Sequence, residues 1–537
     1  MVQALLANGV THIYAVSGIP VQELLAAAVG AGIRVIGTRH QQAAVLMAIA
    51  HNYTVGRLNA VVVVSAGPAV TNVATGLLVA RDNAWPVIVL GGYRTGDTGG
   101  QQGFQQLDAT ELYKSITKWT RYIDNTDDIS CLINKAFDVA VTGRPGPVYL
   151  DVPECVLRML YTCGSVEPTV SQRDKVIINQ GEINQVAALL RNARQPAFIL
   201  GRGTRWGLIP DDLSGLLEQQ HIAFISSPMG RGILSDEHPL CFNRAKHQLQ
   251  ATADVVVVLG ARLNWTFRFG SQINPNAKVI QVDTDPEEVV KNKKVCLGIV
   301  ADAGDFTTGL KAALNGRPEQ KLLTVRGLWH KTLEAAGERH RVMVEERCVS
   351  NRLPMSSYRL MEELRESLPA NTILVADGNI SMMAVQNVIP GQTPFSRFTA
   401  GTNGCMGVGI PFGIGAGLGD PSRPVVVISG DMAFGISGME LETAIRCAVK
   451  LIVVIVNNEG LSGGRKQREL YPEGHERVTM FGPGIRYEKI AEAFGAHGEY
   501  VEYPGQLRPA MERALKSDKL TCINVKVDPY EKYMSEF

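Results

Sequence analysis

The chain has 537 residues, of which 45% are hydrophobic and 20% charged, and its 53 basic and 52 acidic side chains give a formal net charge of +1. This length predicts about three domains, each long enough to bury a core of its own. A nearly neutral chain lacks the basic excess of a general nucleic-acid-binding protein, and its hydrophobic content excludes a disordered one. The 54 glycines and 6% aromatic residues favour an α/β enzyme with many tight turns over a β-sandwich.

The cysteines and the chain ends bear on the cellular compartment. Nine cysteines lie between Cys131 and Cys522 without a Cys-x-x-Cys pair, which is typical of a reducing compartment and indicates neither a zinc site nor a disulfide framework. The N-terminal segment does not read as a secretory signal, no apolar run reaches the ~18 residues of a membrane span, and the final Ser-Glu-Phe is not a peroxisomal signal. We therefore expect a soluble cytoplasmic enzyme.

The first predicted domain, residues 1–160, alternates helical patterns with short apolar strands. Residues 61–64 are consecutive valines, residues 86–92 form a second apolar run, and residues 143–153 form a third that is bounded by proline and glycine. Continuous β-branched runs between helical stretches are typical of parallel strands that are covered on both faces.

Two further domains of the same type follow. A polar linker at 160–178 leads to the second domain, residues 178–315, and a charged helical connection from about 315 to 350 leads to the third, residues 350–527. Their predicted strands lie at 196–201, 253–260, 278–283, 372–377, 424–431, 451–458 and 521–527. The sequence thus predicts an α/β fold of three consecutive doubly wound parallel-sheet domains.

The most informative stretch joins two strands of the third domain. Gly430-Asp431 closes the strand at 424–431, Asn457-Asn458 closes the next strand, and a predicted helix over 436–450 lies between them. This single strand–helix–strand step brings Asp431 and Asn458 to the carboxyl ends of neighbouring parallel strands. A carboxylate, an amide oxygen and a backbone carbonyl are the hard ligands that Mg²⁺ prefers alongside phosphate. An ordinary turn between strands is the alternative, but the two motifs at this spacing favour a site for Mg²⁺ and a diphosphate.

At this point the chain resembles the thiamine diphosphate (ThDP, or thiamine pyrophosphate) enzymes of the acetohydroxyacid synthase type. Residues 65–92, SAGPAVTNVATGLLVARDNAWPVIVLGG, resemble the signature of their pyrimidine-binding domain, and residues 400–417 resemble the cofactor loop of their diphosphate-binding domain. Residues 18–21, 260–265 and 430–443 resemble 2-hydroxyacyl-CoA lyases and oxalyl-CoA decarboxylases in particular. The resemblance covers nearly the whole chain, with a nucleotide- or CoA-binding-like domain in the middle.

The resemblance implies roles for particular residues of the third domain. Asp431 and Asn458 would bind Mg²⁺ through their side chains and Gly460 through its carbonyl. The Gly404 carbonyl would accept a hydrogen bond from the 4′-amino group of ThDP, and Met406 would hold the cofactor in its bent conformation, unless it is an ordinary core methionine. The further residues that the resemblance places around the diphosphate are Asn379, Ser381, Gly430, Met432 and Ala433.

The sequence departs from the family at two acids. The family's glutamate, which exchanges a proton with N1′ of the aminopyrimidine, is replaced by Gln41 in Arg39-His40-Gln41-Gln42, and a glutamate of the lyases' acyl pocket is replaced by Gln106. Losing a general acid–base partner costs about 10²–10⁴-fold in rate. The chain is therefore an active enzyme with a retuned pocket, or a slow or silent relative, or carries a laboratory substitution at Gln41. His40 and Glu459 are candidate replacement acids, against the alternatives of a structural histidine and an exposed turn residue.

The substrate side of the resemblance points to an acyl-CoA. Candidate substrate residues are Phe104, Gln105, Arg262, Asn264 and Arg397. The basic run at 465–468 is either a solvated face or a contact for CoA phosphates. Relatives with acyl-CoA substrates close their sites with a C-terminal tail, whereas this chain ends a few residues after its last predicted strand. Either the lid is short or the CoA-binding mode is not kept.

The resemblance implies reversible cleavage of a 2-hydroxyacyl-CoA to formyl-CoA and an aldehyde or ketone, with ThDP and Mg²⁺ as cofactors. It also implies a homodimer or homotetramer with active sites shared between subunits, and no nucleic acid or membrane partner. The alternatives are a 2-oxo acid or oxalyl-CoA decarboxylase, an acetolactate-synthase-like carboligase, and a ThDP-binding relative with impaired catalysis. A nicotinamide dehydrogenase is excluded because the chain has no Gly-x-Gly-x-x-Gly motif followed by a ribose-binding acid.

Overall fold

Three parallel sheets follow one another along the chain. The computed structural model describes residues 1–94, 103–126, 128–159, 178–461 and 478–531. Within these ranges every paired strand is parallel to its neighbours, and apolar cores cover both faces of each sheet. The predicted α/β fold of three consecutive parallel-sheet domains is confirmed. The domain limits 1–160, 178–315 and 350–527 remain a prediction, and each sheet lies within one of these ranges.

The first sheet has the strand order β2-β1-β3-β4-β6-β5. Its strands are β1 (His12–Val16), β2 (Arg34–Gly37), β3 (Ala60–Val64), β4 (Val87–Tyr93), β5 (Trp119–Tyr122) and β6 (Pro147–Pro153). The helices are α1 (Val2–Ala7), α2 (Gln22–Gly30), α3 (Gln41–Val55), α4 (Pro68–Thr71), α5 (Ala74–Asn83), α6 (Ala109–Tyr113), α7 (Ile129–Val141) and α8 (Glu154–Arg158).

The middle sheet has five strands in the order β11-β10-β9-β7-β8. These are β7 (Pro196–Leu200), β8 (Ala223–Ser226), β9 (Val255–Leu259), β10 (Lys278–Asp283) and β11 (Leu297–Val300). The helices are α9 (Gln180–Asn192), α10 (Pro210–Gln220), α11 (Lys246–Thr252), α12 (Pro286–Val290) and α13 (Ala303–Ala313), with 3₁₀ turns at Arg202–Trp206, Asn243–Ala245 and Trp265–Gly270. The predicted helical connection is the long helix α14 (Gln320–Cys348).

The third sheet has the strand order β13-β12-β14-β15-β17-β16. Its strands are β12 (Ile373–Asp377), β13 (Arg397–Thr399), β14 (Val425–Gly430), β15 (Leu451–Asn457), β16 (His497–Val501) and β17 (Thr521–Lys526). The helices are α15 (Ser357–Arg365), α16 (Asn379–Val388), α17 (Gly409–Gly419), α18 (Asp431–Ser437), α19 (Leu441–Arg446), Glu488–Ala493 and Pro504–Lys516.

One predicted helix differs from the structure. In place of a single helix over 436–450, α18 begins at Asp431, a 3₁₀ turn occupies Gly438–Glu440, and α19 ends at Arg446. Asp431 therefore opens a helix rather than closing a strand. Among the residues that the structure describes, no helix is both long and apolar enough to cross a membrane.

Candidate functional site

Three oxygen-bearing groups meet at the carboxyl ends of β14 and β15. The terminal amide atom of Asn458 that faces this point lies 3.0 Å from the Gly460 carbonyl oxygen and 3.3 Å from Oδ1 of Asp431. If this atom is the amide nitrogen, it donates to both oxygens. If it is the amide oxygen, it forms a set of three hard oxygen ligands with them. Oδ2 of Asp431 accepts from the Gly460 N–H at 3.0 Å, which holds the turn closed. The structure thus brings Asp431, Asn458 and Gly460 together, and their role as metal ligands remains a prediction.

The environment of this cluster suits a small, hard cation. Asp431 is 1% exposed, and its burial raises the pKa of the carboxyl to about 6, against the lowering effect of the Gly460 and Met432 N–H groups. A cation among these oxygens would favour the ionised carboxylate. One carboxylate, one amide oxygen and one carbonyl match the ligand types that Mg²⁺ takes, with positions left for phosphate and water. The residues present therefore fit this metal.

An anion cradle lies beside the cluster, between β12 and β14. Ser381 is 1% exposed, and its buried hydroxyl has no hydrogen-bond partner. A Cβ built on Gly378 would lie 3.4 Å from the Gly430 nitrogen and 3.7 Å from the Ser381 hydroxyl oxygen, so the three residues converge. Helix α16 begins here at Asn379 without a side-chain cap, and its free N–H groups attract anions. A diphosphate fits these groups, and Met432 and Ala433 follow on α18.

The loop at 401–407 carries the two residues predicted to touch the cofactor ring. Gly404 has φ +60° and is exposed, with no atom within 4 Å of the position that a Cβ would take. Met406 is half-buried. The backbone at Gly404 is therefore open to a ligand, and the loop reaches α17 immediately afterwards.

Gln41 is the first residue of α3, at the edge of the first domain. Its Oε1 accepts a hydrogen bond from Nδ2 of Asn72 at 2.9 Å. His40 is the N-cap of this helix, because its Nδ1 accepts from the Gln42 N–H at 3.1 Å. This contact supports the structural interpretation of His40 over the catalytic one.

A carboxylate of the third domain holds the segment before Gln41. Glu440 is 2% exposed, and it accepts from the backbone N–H groups of Arg39 and His40, each at 3.0 Å. The sequence analysis did not identify this residue, although it lies within residues 430–443, one of the segments that carry the family resemblance. Asn72 was missed in the same way within 65–92, since nothing in the pattern says which side chain faces Gln41.

The segment at 104–106 lies next to the turn after β3. Phe104 is 76% exposed, and Gln105 sits at φ 62° against Gly67, whose Cβ would lie 2.7 Å from that of Gln105. The Gln106 amide donates to the Tyr93 hydroxyl at 3.0 Å and accepts from the Gly103 N–H at 2.8 Å. Gln106 is therefore already held by two partners within its own domain.

The remaining candidates line two different cavities. Arg262, Asn264 and Asn379 line a cavity of about 730 Å³ between the three domains, together with Arg144 and Arg202. Arg397 instead lines a cavity of about 790 Å³ beside α14, and its buried guanidinium donates to the carbonyls of Ile389 and Pro390. The structure thus separates Arg397 from the other two predicted substrate residues.

Of the remaining predicted residues, the structure describes Glu459 but not the basic run at 465–468. Glu459 has φ 58° and accepts from the Gly484 N–H at 3.0 Å, so its carboxylate is tied to a neighbouring loop. The basic run at 465–468, most of the linker at 160–178 and the end of the chain after residue 531 lie outside the described residues. The described residues also hold no cluster of three His, Cys, Asp or Glu side chains suited to a metal.

Comparison with known proteins identifies the family. Models of the thiamine pyrophosphate enzymes match residues 1–112 (N-terminal TPP-binding domain), 183–310 (central domain) and 376–525 (C-terminal TPP-binding domain). The chain is 32% identical to human 2-hydroxyacyl-CoA lyase 1, over 98% of this chain and 93% of that protein. It is also 32% identical to oxalyl-CoA decarboxylase of Escherichia coli (98% and 94% covered) and 28% identical to an acetolactate synthase large subunit of Mycobacterium tuberculosis (98% and 95% covered). The chain therefore belongs to the thiamine pyrophosphate enzyme family.

Proposed function

We propose that this protein is a ThDP- and Mg²⁺-dependent lyase that cleaves a 2-hydroxyacyl-CoA to formyl-CoA and an aldehyde or ketone, in a reversible reaction. The observation that carries the cofactor part is the convergence of Asp431, Asn458 and Gly460 beside the unpartnered hydroxyl of Ser381. The substrate part is supported by relatives named 2-hydroxyacyl-CoA lyase at 32% identity over nearly the full chain.

In this proposal the third domain holds the diphosphate end of the cofactor. Asp431, Asn458 and Gly460 bind the metal, while Ser381 and the first N–H groups of α16 bind phosphate oxygens. The Gly404 carbonyl accepts from the 4′-amino group, and Met406 supports the bent conformation. When bound, ThDP supplies the electron sink that cleavage next to a carbonyl needs.

Gln41 binds the ring nitrogen N1′ in this proposal, but as a donor. Asn72 donates to Oε1 of Gln41, which leaves Nε2 to donate to N1′. An amide nitrogen holds the ring in place but does not trade a proton with it. The step that the family's glutamate performs must then run slowly or use another proton carrier.

The middle domain would take the anionic part of an acyl-CoA. Arg144, Arg202 and Arg262 face the cavity of about 730 Å³, and burial lowers the pKa of Arg202 to about 9, with Arg262 and Arg144 adding to this effect. A phosphate among three arginines would relieve their mutual repulsion. Asn379, at the start of α16, lines the same cavity and connects it with the diphosphate cradle.

A homodimer or a homotetramer with shared sites completes the proposal. The side chains of Gln41 and Asp431 accept hydrogen bonds from residues of their own domains. Large apolar side chains near each half are exposed, among them Ile19, Phe104, Ile436 and Met439 at 48–76%. A second copy would cover this surface and bring the first-domain half of one subunit to the third-domain half of another.

The direct test incubates the purified protein with Mg²⁺, ThDP and a mixture of 2-hydroxyacyl-CoAs and analyses the products by mass spectrometry. We expect formyl-CoA and the matching aldehyde only when ThDP is present. No formyl-CoA, with ThDP binding verified by calorimetry on the same sample, would contradict the lyase activity. Carbon dioxide from oxalyl-CoA or acetolactate from pyruvate would instead support the second candidate, a decarboxylase or carboligase, which the relatives with those names favour.

The Gln41→Glu variant separates a slow enzyme from a silent one. A carboxylate at this position can exchange a proton with N1′, so we expect formyl-CoA production to rise by about 10²-fold or more. The Gln42→Glu variant, which adds the same charge at the next residue, should show no such gain. Unchanged turnover in Gln41→Glu, with ThDP still bound, would mean that the wild-type amide does not limit the rate.

A further inference from the structure

The cofactor loop at 401–407 receives three hydrogen bonds from the middle domain at one residue, Thr402. Arg262 Nη2 and Asn264 Nδ2 donate to its hydroxyl oxygen at 2.8 and 3.3 Å, and Trp265 Nε1 donates to its carbonyl at 2.8 Å. Arg262 and Asn264, which the resemblance predicts to contact substrate, therefore also contact the loop, two residues before Gly404.

Two of the three donors, Arg262 and Asn264, are themselves held in orientation. Arg262 Nη2 also donates to the Asp82 carbonyl at 2.5 Å. Oδ1 of Asn264 accepts from the N–H and the hydroxyl of Thr266 at 3.0 and 2.7 Å, so the amide must present its nitrogen to Thr402. The hydrogen bonds to the Thr402 hydroxyl therefore come from prearranged groups.

Close packing anchors the loop at both ends. Gly401 has φ +70°, and a Cβ there would lie 2.1 Å from Oδ1 of Asn83, while a Cβ on Gly407 would lie 2.4 Å from Cγ2 of Ile436. Between these ends Gly404 has no neighbour at its Cβ position. The loop is thus fixed on either side of an open residue.

We propose that Arg262, Asn264 and Trp265 are positioning residues that act through Thr402 to hold the cofactor loop ready for ThDP. The inference rests on the proposed function, in which the Gly404 carbonyl and Met406 contact the cofactor. A loop that is ordered before binding spares the cofactor the entropic cost of ordering it. The middle domain is then part of the cofactor site, although none of the three side chains touches ThDP.

The test compares ThDP affinity, measured by calorimetry with Mg²⁺, in wild type and four variants. Thr402→Val removes the acceptor of two hydrogen bonds and should weaken the Kd about tenfold, and Trp265→Phe should weaken it about threefold. Thr402→Ser keeps the hydroxyl and should stay within about twofold of wild type. Trp329→Phe is the matched control, because it removes a comparable indole hydrogen bond, 2.9 Å to the Thr252 hydroxyl, between α14 and the middle domain.

Hydrogen exchange of the cofactor-free protein gives a second readout. A peptide covering 399–408 should exchange faster in Thr402→Val and Trp265→Phe than in wild type, while peptides of β14 and α13 should not change. Equal affinities and equal loop exchange in all variants would overturn the inference and leave the proposed function intact. Weaker affinity without faster loop exchange would also overturn it, since the residues would then contact the cofactor directly. A wild-type protein that binds no ThDP would overturn both.

Discussion

At the scale of single residues, two amides bear on the proposed catalysis. Gln41 and Gln106 are amides at two positions where the resemblance expects acids, and both have defined partners, Asn72 for the first and Tyr93 with Gly103 for the second. A glutamine side chain has the shape and length of glutamate and forms hydrogen bonds, but it has no carboxyl group that can take up or release a proton. Single substitutions at these two positions therefore test cofactor binding and proton transfer separately.

Replacing Asn458 tests the metal cluster. Asn458→Ala removes one of the three groups that meet beside Asp431, so we expect Mg²⁺-dependent ThDP binding to weaken at least about tenfold. Calorimetric titration of ThDP with Mg²⁺ and with EDTA measures this difference. Asn371→Ala, on the exposed turn before β12, is the control. Equal affinity in the Asn458 variant would exclude it as a ligand.

The histidine pair of the first domain predicts a pH dependence of stability. Burial lowers the pKa of His51 to about 3, with His12 and Arg34 adding to this effect, and burial with Arg34 lowers the pKa of His12 to about 4. His51 also contacts the Tyr14 hydroxyl at 3.0 Å. Below pH 6.5 the unfolded chain takes up protons at these positions before the folded chain does, so stability falls as pH falls from 6.5 towards 4.

His51→Gln should remove part of this slope. Because His51 stays neutral in the folded protein, the free energy of unfolding of the wild type should fall by about 2 kcal/mol between pH 7.5 and pH 5 on account of this residue. The variant has no histidine at this position, so its free energy of unfolding should fall by about 2 kcal/mol less. Urea midpoints at the two pH values measure the difference. A slope that is equal in wild type and His51→Gln would refute the assignment.

At the scale of elements, two helices decide how the first and third domains meet. Helix α3 begins at Gln41 and buries an alanine-rich stretch, and α17 is glycine-rich between Gly409 and Gly419. Small side chains let the two backbones approach closely, and a Cβ on Gly415 would lie 2.1 Å from the Met47 carbonyl oxygen. Helix α3 starts at Gln41, and α17 starts directly after the cofactor loop.

Gly415→Ala should force these helices apart. Because the contacted atom is backbone, the structure has no side chain to move aside, and we expect a loss of about 1–3 kcal/mol of unfolding free energy. Gly215→Ala is the matched control in α10, where a Cβ meets nothing within 4 Å, and it should stabilise by about 0.5–1 kcal/mol. Urea denaturation of both variants measures the two changes. A neutral Gly415→Ala would show that the contact relaxes freely.

At the scale of the whole molecule, charged residues join the domains at a few points. Glu440 accepts from the backbone before Gln41, and Arg446 and Arg34 cross the same boundary to the carbonyls of Gly37 and Cys447. Arg205 of the middle domain donates to the Tyr53 and Thr54 carbonyls of the first and lies over the ring of Phe395 in the third. These contacts set the position of Gln41 relative to the rest of the chain.

Glu440→Gln should weaken this junction. Oε1 of Glu440 accepts from both backbone N–H groups and Oε2 accepts from the Thr443 hydroxyl, so an amide loses one of these bonds or keeps them without the negative charge that strengthens them, at a cost of about 1–3 kcal/mol. Glu442→Gln is the control, since that acid forms partly exposed salt bridges with Arg39 and Arg446, which contribute less. The urea midpoint and the exchange rate of a peptide covering 36–42 measure the effect. Equal values in both variants would place the junction elsewhere.

The amino-acid sequence alone predicts the three successive α/β units, the approach of Asp431 to Asn458, and ten of the strands, β3, β4, β6, β7, β9, β10, β12, β14, β15 and β17. These follow from local patterns, because apolar runs, turns and one strand–helix–strand step carry their own geometry. The tertiary structure alone shows that Arg397 lines a different cavity from Arg262 and Asn264, that His40 caps α3, and that α18 starts at Asp431. It also shows the contacts of Glu440 with the backbone before Gln41, of Asn72 with Gln41, and of the middle domain with Thr402. Those contacts join residues far apart in the chain, and their partners depend on how domains pack rather than on any local pattern.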